Sequence, residues 1–320
     1  NVSLEECFCF SLGYTPYTIF TAGEFFVAIQ YGNMRDACVY DASGELLSSR
    51  WVYDYGYRNY WCPVNRCFYF TNRATTSYSL HRQPIGPLGN IGPHEMAPSP
   101  RRGDSPIRIS PNGQVGVTAN ARVFHADTME KICFLPEEVL DSAWFDNQLY
   151  TLGNTESEAR IQKWDSGYQL DTEKEFPGEP VRLFSSDQGI ILISRVLGIP
   201  TFYLLNANLE NMTPTVSVDL SLSLPVFHPG DEFVLDMALH NTGSKSYGSL
   251  PLVILLDMYG EIFYHPAWTD SFAWETVDVN IGSVNRELLR FIWPDIPLTA
   301  YDFRFYGALL DQDFSRIIGF

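Results

Sequence analysis

One short pattern recurs along the chain and limits its fold more than any other: an apolar strand, a turn opened by Asp or Asn, and a new strand. Its fullest form is Val39, Tyr40, Asp41, Ala42, Ser43, Gly44, Glu45, Leu46. Related turns are opened by Asp127, Asp165 and Asn206, at separations of 86, 38 and 41 positions. With one degenerate copy expected near His81, the period is about 40 residues. Asp and Asn cap their own backbone and tolerate left-handed dihedrals, while Ser or Gly completes a tight reversal between β-rich runs. The pattern is a repeated hairpin.

A period near 40 is that of four-stranded propeller blades. The first unit takes its strands from about Thr15 to Trp51, with Leu4 to Leu12 as a further strand ahead of it. The second runs from Tyr60 to about Leu80. Pro84 to Pro111, rich in Pro and Gly, reads as a long loop. A third unit restarts at Pro106, a fourth covers Ala143 to Leu170 and a fifth Pro180 to Leu205. The fifth lacks an outermost strand, and Leu4 to Leu12 is the strand expected to supply it, closing the ring and removing two exposed edges. From about Thr215 the 40-residue period is lost. About eight short strands come after it, beginning with the alternating Val216, Val218, Leu220, Leu222, Leu224, and predict a β-sandwich of immunoglobulin or fibronectin type. The expectation is an all-β chain: a five-bladed β-propeller over 1–212, then an immunoglobulin/fibronectin-like β-sandwich over 213–320.

The stretch Pro106 to Asp127 resembles the YVTN-type and WD40-like repeats of bacterial β-propellers, a resemblance to a repeat type covering about residues 15–210. It departs from strict WD40 repeats in lacking the Gly-His and Trp-Asp marks in register, Trp164, Asp165 being the single such dipeptide. The runs Phe227 to Phe233 and Phe263 to Trp268 are similar to a C-terminal sandwich module of secreted bacterial surface proteins. These resemblances imply a scaffold for binding, and an exported protein, more than an activity.

Composition narrows the function further. Hydrophobic residues make up 45% and charged ones only 18%, which suits a packed all-β protein and excludes disorder. A net charge of −17 argues against a nucleic-acid partner, which needs a basic surface. No apolar run of about 18 residues is present to span a membrane as a helix. The chain opens on Asn1, which reads as a processed product or a segment and fits an extracellular or cell-surface location. All six cysteines precede residue 134. Cys62 and Cys67 flank a hairpin turn and are placed either to bridge in an oxidising compartment or to stay reduced as small hydrophobes.

Arginine supplies most of the positive charge, and Arg35, Arg73, Arg122, Arg160 and Arg195 each follow the second strand of a repeat. In a propeller such positions share one face, so these five are candidate ligand-binding residues for an anionic glycan, forking onto its carboxylates. The alternative is that each pairs locally with an acidic neighbour. Arg102, Gly103, Asp104 match the integrin-binding tripeptide and are candidates for protein binding. No catalytic residue, metal ligand or cofactor motif is expected: the histidines are dispersed, and no nucleophile elbow, P-loop or dinucleotide fingerprint is present. The reading is a non-enzymatic binding or assembly module with an anionic glycan or protein partner. The alternatives are a propeller glycoside hydrolase or lyase acting on acidic polysaccharide, and a subunit that self-associates through its edge strands.

Overall fold

A computed structural model of the chain describes residues 16–30, 35–52, 59–71, 79–97, 106–155, 157–258, 261–295, 303–312 and 317–320. Among these the only regular elements are strands. The chain divides into two compact units, one of residues Asn1–Leu183 with Leu192–Phe202, the other of Phe184–Ile191 with Tyr203–Phe320.

The strands succeed one another as antiparallel meanders. The first sheet is β1 (Pro16–Ala22), β2 (Phe25–Gln30), β3 (Arg35–Tyr40) and β4 (Leu46–Val52), in that order. The second is β5 (Tyr60–Cys62), β6 (Cys67–Thr71), β7 (Leu80–Pro84) and β8 (Glu95–Met96). The third comprises β9 (Ile107–Ile109), β10 (Val115–Thr118), β11 (Arg122–His125) and β12 (Lys131–Phe134). The fourth comprises β13 (Asp141–Phe145), β14 (Gln148–Asn154), β15 (Glu158–Trp164) and β16 (Leu170–Pro177). A three-stranded sheet of β17 (Glu179–Ser185), β18 (Ile190–Val196) and β19 (Ile199–Leu205) closes the series and carries residues of both units.

The recurring turn leads out of the third strand of a sheet. At Asp41 the backbone N–H donates to Glu45 O at 3.1 Å, and Gly44 N–H returns to Asp41 O at 3.1 Å. Asp165 repeats this with Gln169 and Tyr168, and Asn206 with Glu210 and Leu209, every bond at 3.0 Å. In all three the side-chain oxygen of the first residue accepts the N–H groups two and four residues on. The fourth residue is left-handed, with φ of 84° at Gly44, 60° at Tyr168 and 61° at Leu209. The Asp127 turn is one residue wider, closed between His125 and Glu130.

The degenerate copy also exists, five positions beyond His81. Gly86 N–H donates to Asn90 O at 2.9 Å and Gly89 N–H to Gly86 O at 3.0 Å, the same closure without an Asp. Pro84 to Pro111 is therefore not one loop. It holds this turn, β8 and β9, and Gly86 and Gly89 serve the turn, Gly89 being left-handed at φ 78°. After Asn206 the fifth sheet returns only as an isolated bridge between Leu205 and Asn211. Leu4 to Leu12, the strand expected to complete it, lies outside the described residues.

The first four sheets pack face to face in order, because alternate residues of a strand point to opposite sides. Phe68 and Phe70 of β6 join Val27, Ile29, Ala37 and Val39 of the first sheet in one core cluster. Their neighbours Cys67 and Tyr69 join Ile107, Ile109 and Phe124 of the third. Val117 and Val123 of the third sheet then join Trp144, Leu149 and Trp164 of the fourth. The first strands are neighbours in the same sequence, β1 to β5, β5 to β9 and β9 to β13.

Beyond Asn211 come β20 (Val216–Leu222), β21 (Glu232–Asn241), β22 (Tyr247–Met258), β23 (Glu261–Tyr264), β24 (Glu275–Val279), β25 (Gly282–Ile292), β26 (Phe303–Leu310) and β27 (Ile317–Gly319). One sheet runs β20-β21-β25. The other runs β23-β22-β26-β27, with β24 also paired to β22. Val216, Val218, Met237 and Leu239 of the first sheet share a core with Leu252, Ile254, Leu309 and Ile318 of the second. The layers meet closely where β26 crosses β20: a Cβ on Gly307 would stand 2.7 Å from Val218 Cγ1.

Candidate functional site

Successive first strands bring polar side chains together in the first unit. Asp141, the first residue of β13, has no exposed surface, and a buried carboxylate is tolerable only when paired and hydrogen-bonded. Arg108 of β9 supplies the pair, with Nε 2.9 Å from Asp141 Oδ1 and an Nη2 donation of 3.2 Å to Oδ2. This is a bidentate fork. The N–H of Ser142 donates to Oδ1 at 3.0 Å, and Leu183 N–H of β17 to Oδ2 at 3.3 Å. Arg182 of β17 adds a looser ion pair, its Nη1 3.9 Å from Oδ2. Tyr60, which opens β5, lies under the guanidinium of Arg108 with the ring centroid 5.8 Å from Cζ, and its hydroxyl donates to Ile109 O at 3.4 Å. Burial pushes the Tyr60 phenol above its usual range. Four first strands thus meet through one carboxylate, two guanidinium groups and one phenol.

The electrostatics of this cluster follow from its exposure. Asp141 is consumed internally, whereas Arg108 and Arg182 keep 25% and 36% of their side chains open to solvent. What the cluster presents outward is positive charge.

The arginines expected to line one face have separate surroundings. Arg122 opens β11 and is only 2% exposed, and its Nη2 donates to Met129 O at 2.8 Å. Burial pulls its pKa down. Arg160, the third residue of β15, pairs with Glu137. Arg195 has Nη1 3.7 Å from Glu179 and is half-exposed. Arg195 sits inside β18, the second strand of its sheet, rather than after it. All three stand where the second strand of a sheet passes into the third, and they are held by different groups, Met129 O, Glu137 and Glu179. Arg35 opens β3, but its side chain is not described; Arg73, Arg102, Gly103 and Asp104 lie outside the described residues.

Elsewhere, Cys62 and Cys67 are buried thiols and not a disulfide. No group of three or more His, Cys, Asp or Glu with metal-holding geometry occurs among the described residues. No helix among them is long and apolar enough to cross a membrane.

His81 and His94 form a stacked pair that sequence reasoning missed. The atoms His94 Nε2 and His81 Nδ1 are 2.6 Å apart and the rings 4.7 Å apart, with Phe70 stacked on both. One ring donates and the other accepts, and the accepting ring is neutral. Burial, reinforced by His94, lowers the His81 pKa from 6.5 to about 4. Burial and then Arg50 lower that of His94, while Glu95 opposes the shift. A histidine whose folded pKa is depressed contributes full stability above its unfolded value near 6.5, and that contribution falls as pH drops from there toward 4. Acidification from pH 7 to 4.5 is expected to cost wild type about 2 kcal/mol more than His81→Gln. Thermal unfolding at the two pH values checks this; an equal loss in both proteins would refute it.

No family model matches the chain, and no curated protein matches it by sequence. Several solved structures resemble it at low identity. The COPII outer coat vertex on membranes aligns with 73% of this chain and 74% of its own at 11% identity, TM-score 0.48. BamB from Moraxella catarrhalis covers 59% and 58% at 10%, TM-score 0.39. Dihydro-heme d1 dehydrogenase NirN covers 82% and 57% at 11%, TM-score 0.45. These neighbours are folds of the WD40 and β-propeller type, built like this chain from many antiparallel sheets.

Proposed function

We propose that the chain is a non-enzymatic binding or assembly module of the cell exterior. In this reading residues 1–212 form a five-bladed propeller and 213–320 an immunoglobulin/fibronectin-like sandwich that attaches or presents it. Five successive meanders, each left by a variant of one repeated turn, the first four packed face to face in chain order, support the propeller. Two sheets sharing one core support the sandwich.

The observation that carries the functional reading is the Asp141 cluster. A glycoside hydrolase needs two carboxylates flanking one bond. The buried carboxylate of the cluster, Asp141, has both oxygens engaged by arginines and backbone N–H groups, which suits a structural role rather than acid-base work. The guanidinium surface left over suits an anionic partner, a carboxylated glycan or an acidic protein segment, with Arg182 and the half-exposed Arg195 as its contacts.

A glycan array read at low and moderate salt tests this on wild type and on the Arg182→Ala, Arg195→Ala double variant. Salt-sensitive binding to acidic glycans, weakened at least tenfold in the variant, is the expected result. Absence of binding by wild type would remove the glycan and leave the protein partner.

A further inference from the structure

The second sheet opens with a hairpin whose two ends are cysteines. In the β5–β6 register Tyr60 faces Tyr69, Trp61 faces Phe68 and Cys62 faces Cys67, with Pro63 to Arg66 as the turn. Directly opposed residues of an antiparallel pair have Cα atoms about 4.5–5.5 Å apart and side chains on the same face. A disulfide asks for about 4.4–6.8 Å. Arg66, left-handed at φ 50°, lies in the turn that brings Cys67 opposite Cys62 in the register. Both thiols lie in the same core cluster and are 2% and 5% exposed. Cys67 Sγ donates to Asn65 O at 3.3 Å, and the Gly113 turn covers Cys62, a Cβ there standing 3.7 Å from Sγ.

We propose that Cys62 and Cys67 are the two halves of an intramolecular disulfide that staples the β5–β6 hairpin when the chain folds under oxidising conditions. The oxidant is a small-molecule disulfide such as oxidised glutathione. One cysteine thiolate attacks it, forming a mixed disulfide and releasing one thiolate of the oxidant. The second cysteine thiolate then attacks the protein sulfur of that mixed disulfide and expels the other. Two protein thiols are oxidised, one disulfide is reduced to two thiols, and the two cysteine protons pass to the released thiolates or to solvent.

The environment sets when this happens. Burial pushes the Cys67 thiol up to about 11, so in the folded protein very little of it is thiolate at neutral pH. Oxidation therefore belongs to the folding chain, before the Gly113 turn covers the pair, and the finished bond is shielded from reductants by the same cover. The proposal does not depend on which ligand the first unit binds.

The reduced, unfolded chain refolded in a mixture of oxidised and reduced glutathione, then alkylated in denaturant and digested with trypsin without reduction, tests it directly. Trypsin cuts after Arg58, Arg66 and Arg73, separating Asn59–Arg66 from Cys67–Arg73. The expected product is these two peptides joined and released from each other by reduction. Both cysteines alkylated, or either one joined to Cys7, Cys9, Cys38 or Cys133, would overturn the proposal. The oxidised protein is also expected to melt roughly 5 °C above its reduced form. A Cys62→Ser, Cys67→Ser double variant should lose that redox dependence, and its persistence there would equally overturn the proposal.

Discussion

Asp141→Ala is expected to destabilise the first unit by about 3–5 kcal/mol, the usual cost of removing one partner from a buried ion pair. The loss has three parts. Arg108 keeps its charge but loses the carboxylate it grips with two nitrogens, and the N–H groups of Ser142 and Leu183 lose their acceptor. The surroundings do not collapse onto the gap, because Arg108 and Leu183 belong to different strands, β9 and β17. Asp141→Asn should fall between Ala and wild type, since an amide oxygen still accepts one bond but no longer balances the guanidinium. Glu138→Ala, on an exposed carboxylate three residues earlier, should stay within about 0.5 kcal/mol. Denaturant unfolding of the four proteins decides it, and an Asp141→Ala midpoint equal to that of Glu138→Ala would mean the cluster holds nothing together.

Phe124→Ala should cost a similar amount, about 3–5 kcal/mol, as a fully buried aromatic becomes a cavity. The ring faces Gly116 across the β10–β11 pair and meets Tyr69 of the second sheet at 6.3 Å between centroids. Gly116 is small because the ring lies on it: a Cβ at that position would stand 2.1 Å from Phe124 Cζ. Gly116→Ala alone is therefore expected to cost about 2–3 kcal/mol through overpacking. In the Phe124→Ala background the same change should cost less than about 1 kcal/mol, since the new methyl group enters the vacated space. The double-mutant cycle measures that coupling, and simple additivity of the two changes would refute it.

The hairpins were readable because their chemistry is local. Asp41, Asp165 and Asn206 each advertise a turn by a side chain that caps the N–H groups two and four residues on. The Gly86 turn has the same backbone closure but carries it by the left-handed Gly89, so a search for Asp or Asn passes over it. Alternation along β20 marks Val216 and Val218 as core, whereas β6 is buried throughout and has no alternation to read, and which sheet covers which face is not a local property. The Asp141 cluster was least legible. Its members are 33 and 42 positions apart, and Asp141 comes after Glu137 and Glu138 in what looks like a solvated acidic stretch. A usable signal existed: Arg108, Asp141 and Arg182 all lie in first strands of successive repeats. Arg122 shows the converse, for nothing in Asn120, Ala121, Arg122, Val123 announces a guanidinium with 2% exposure.

The meander order also fixes how the molecule can be made. Each sheet of the first five pairs only strands that are adjacent in sequence, so a chain leaving the ribosome at about 5–20 residues per second completes one sheet every few seconds. A hairpin needs only microseconds, so every pairing is finished long before the next sheet is synthesised. Side chains whose partners lie in a later sheet must wait, as Tyr69 and Arg82 wait for Ala126, and Asp141 is one of them. Arg108 is already present when it emerges, but Leu183 arrives 42 residues later, and until then one of its oxygens lacks the backbone donor it will finally hold. The growing polypeptide thus carries a half-filled socket through the whole of the fourth sheet, and synthesis of β17 is the event that fills it.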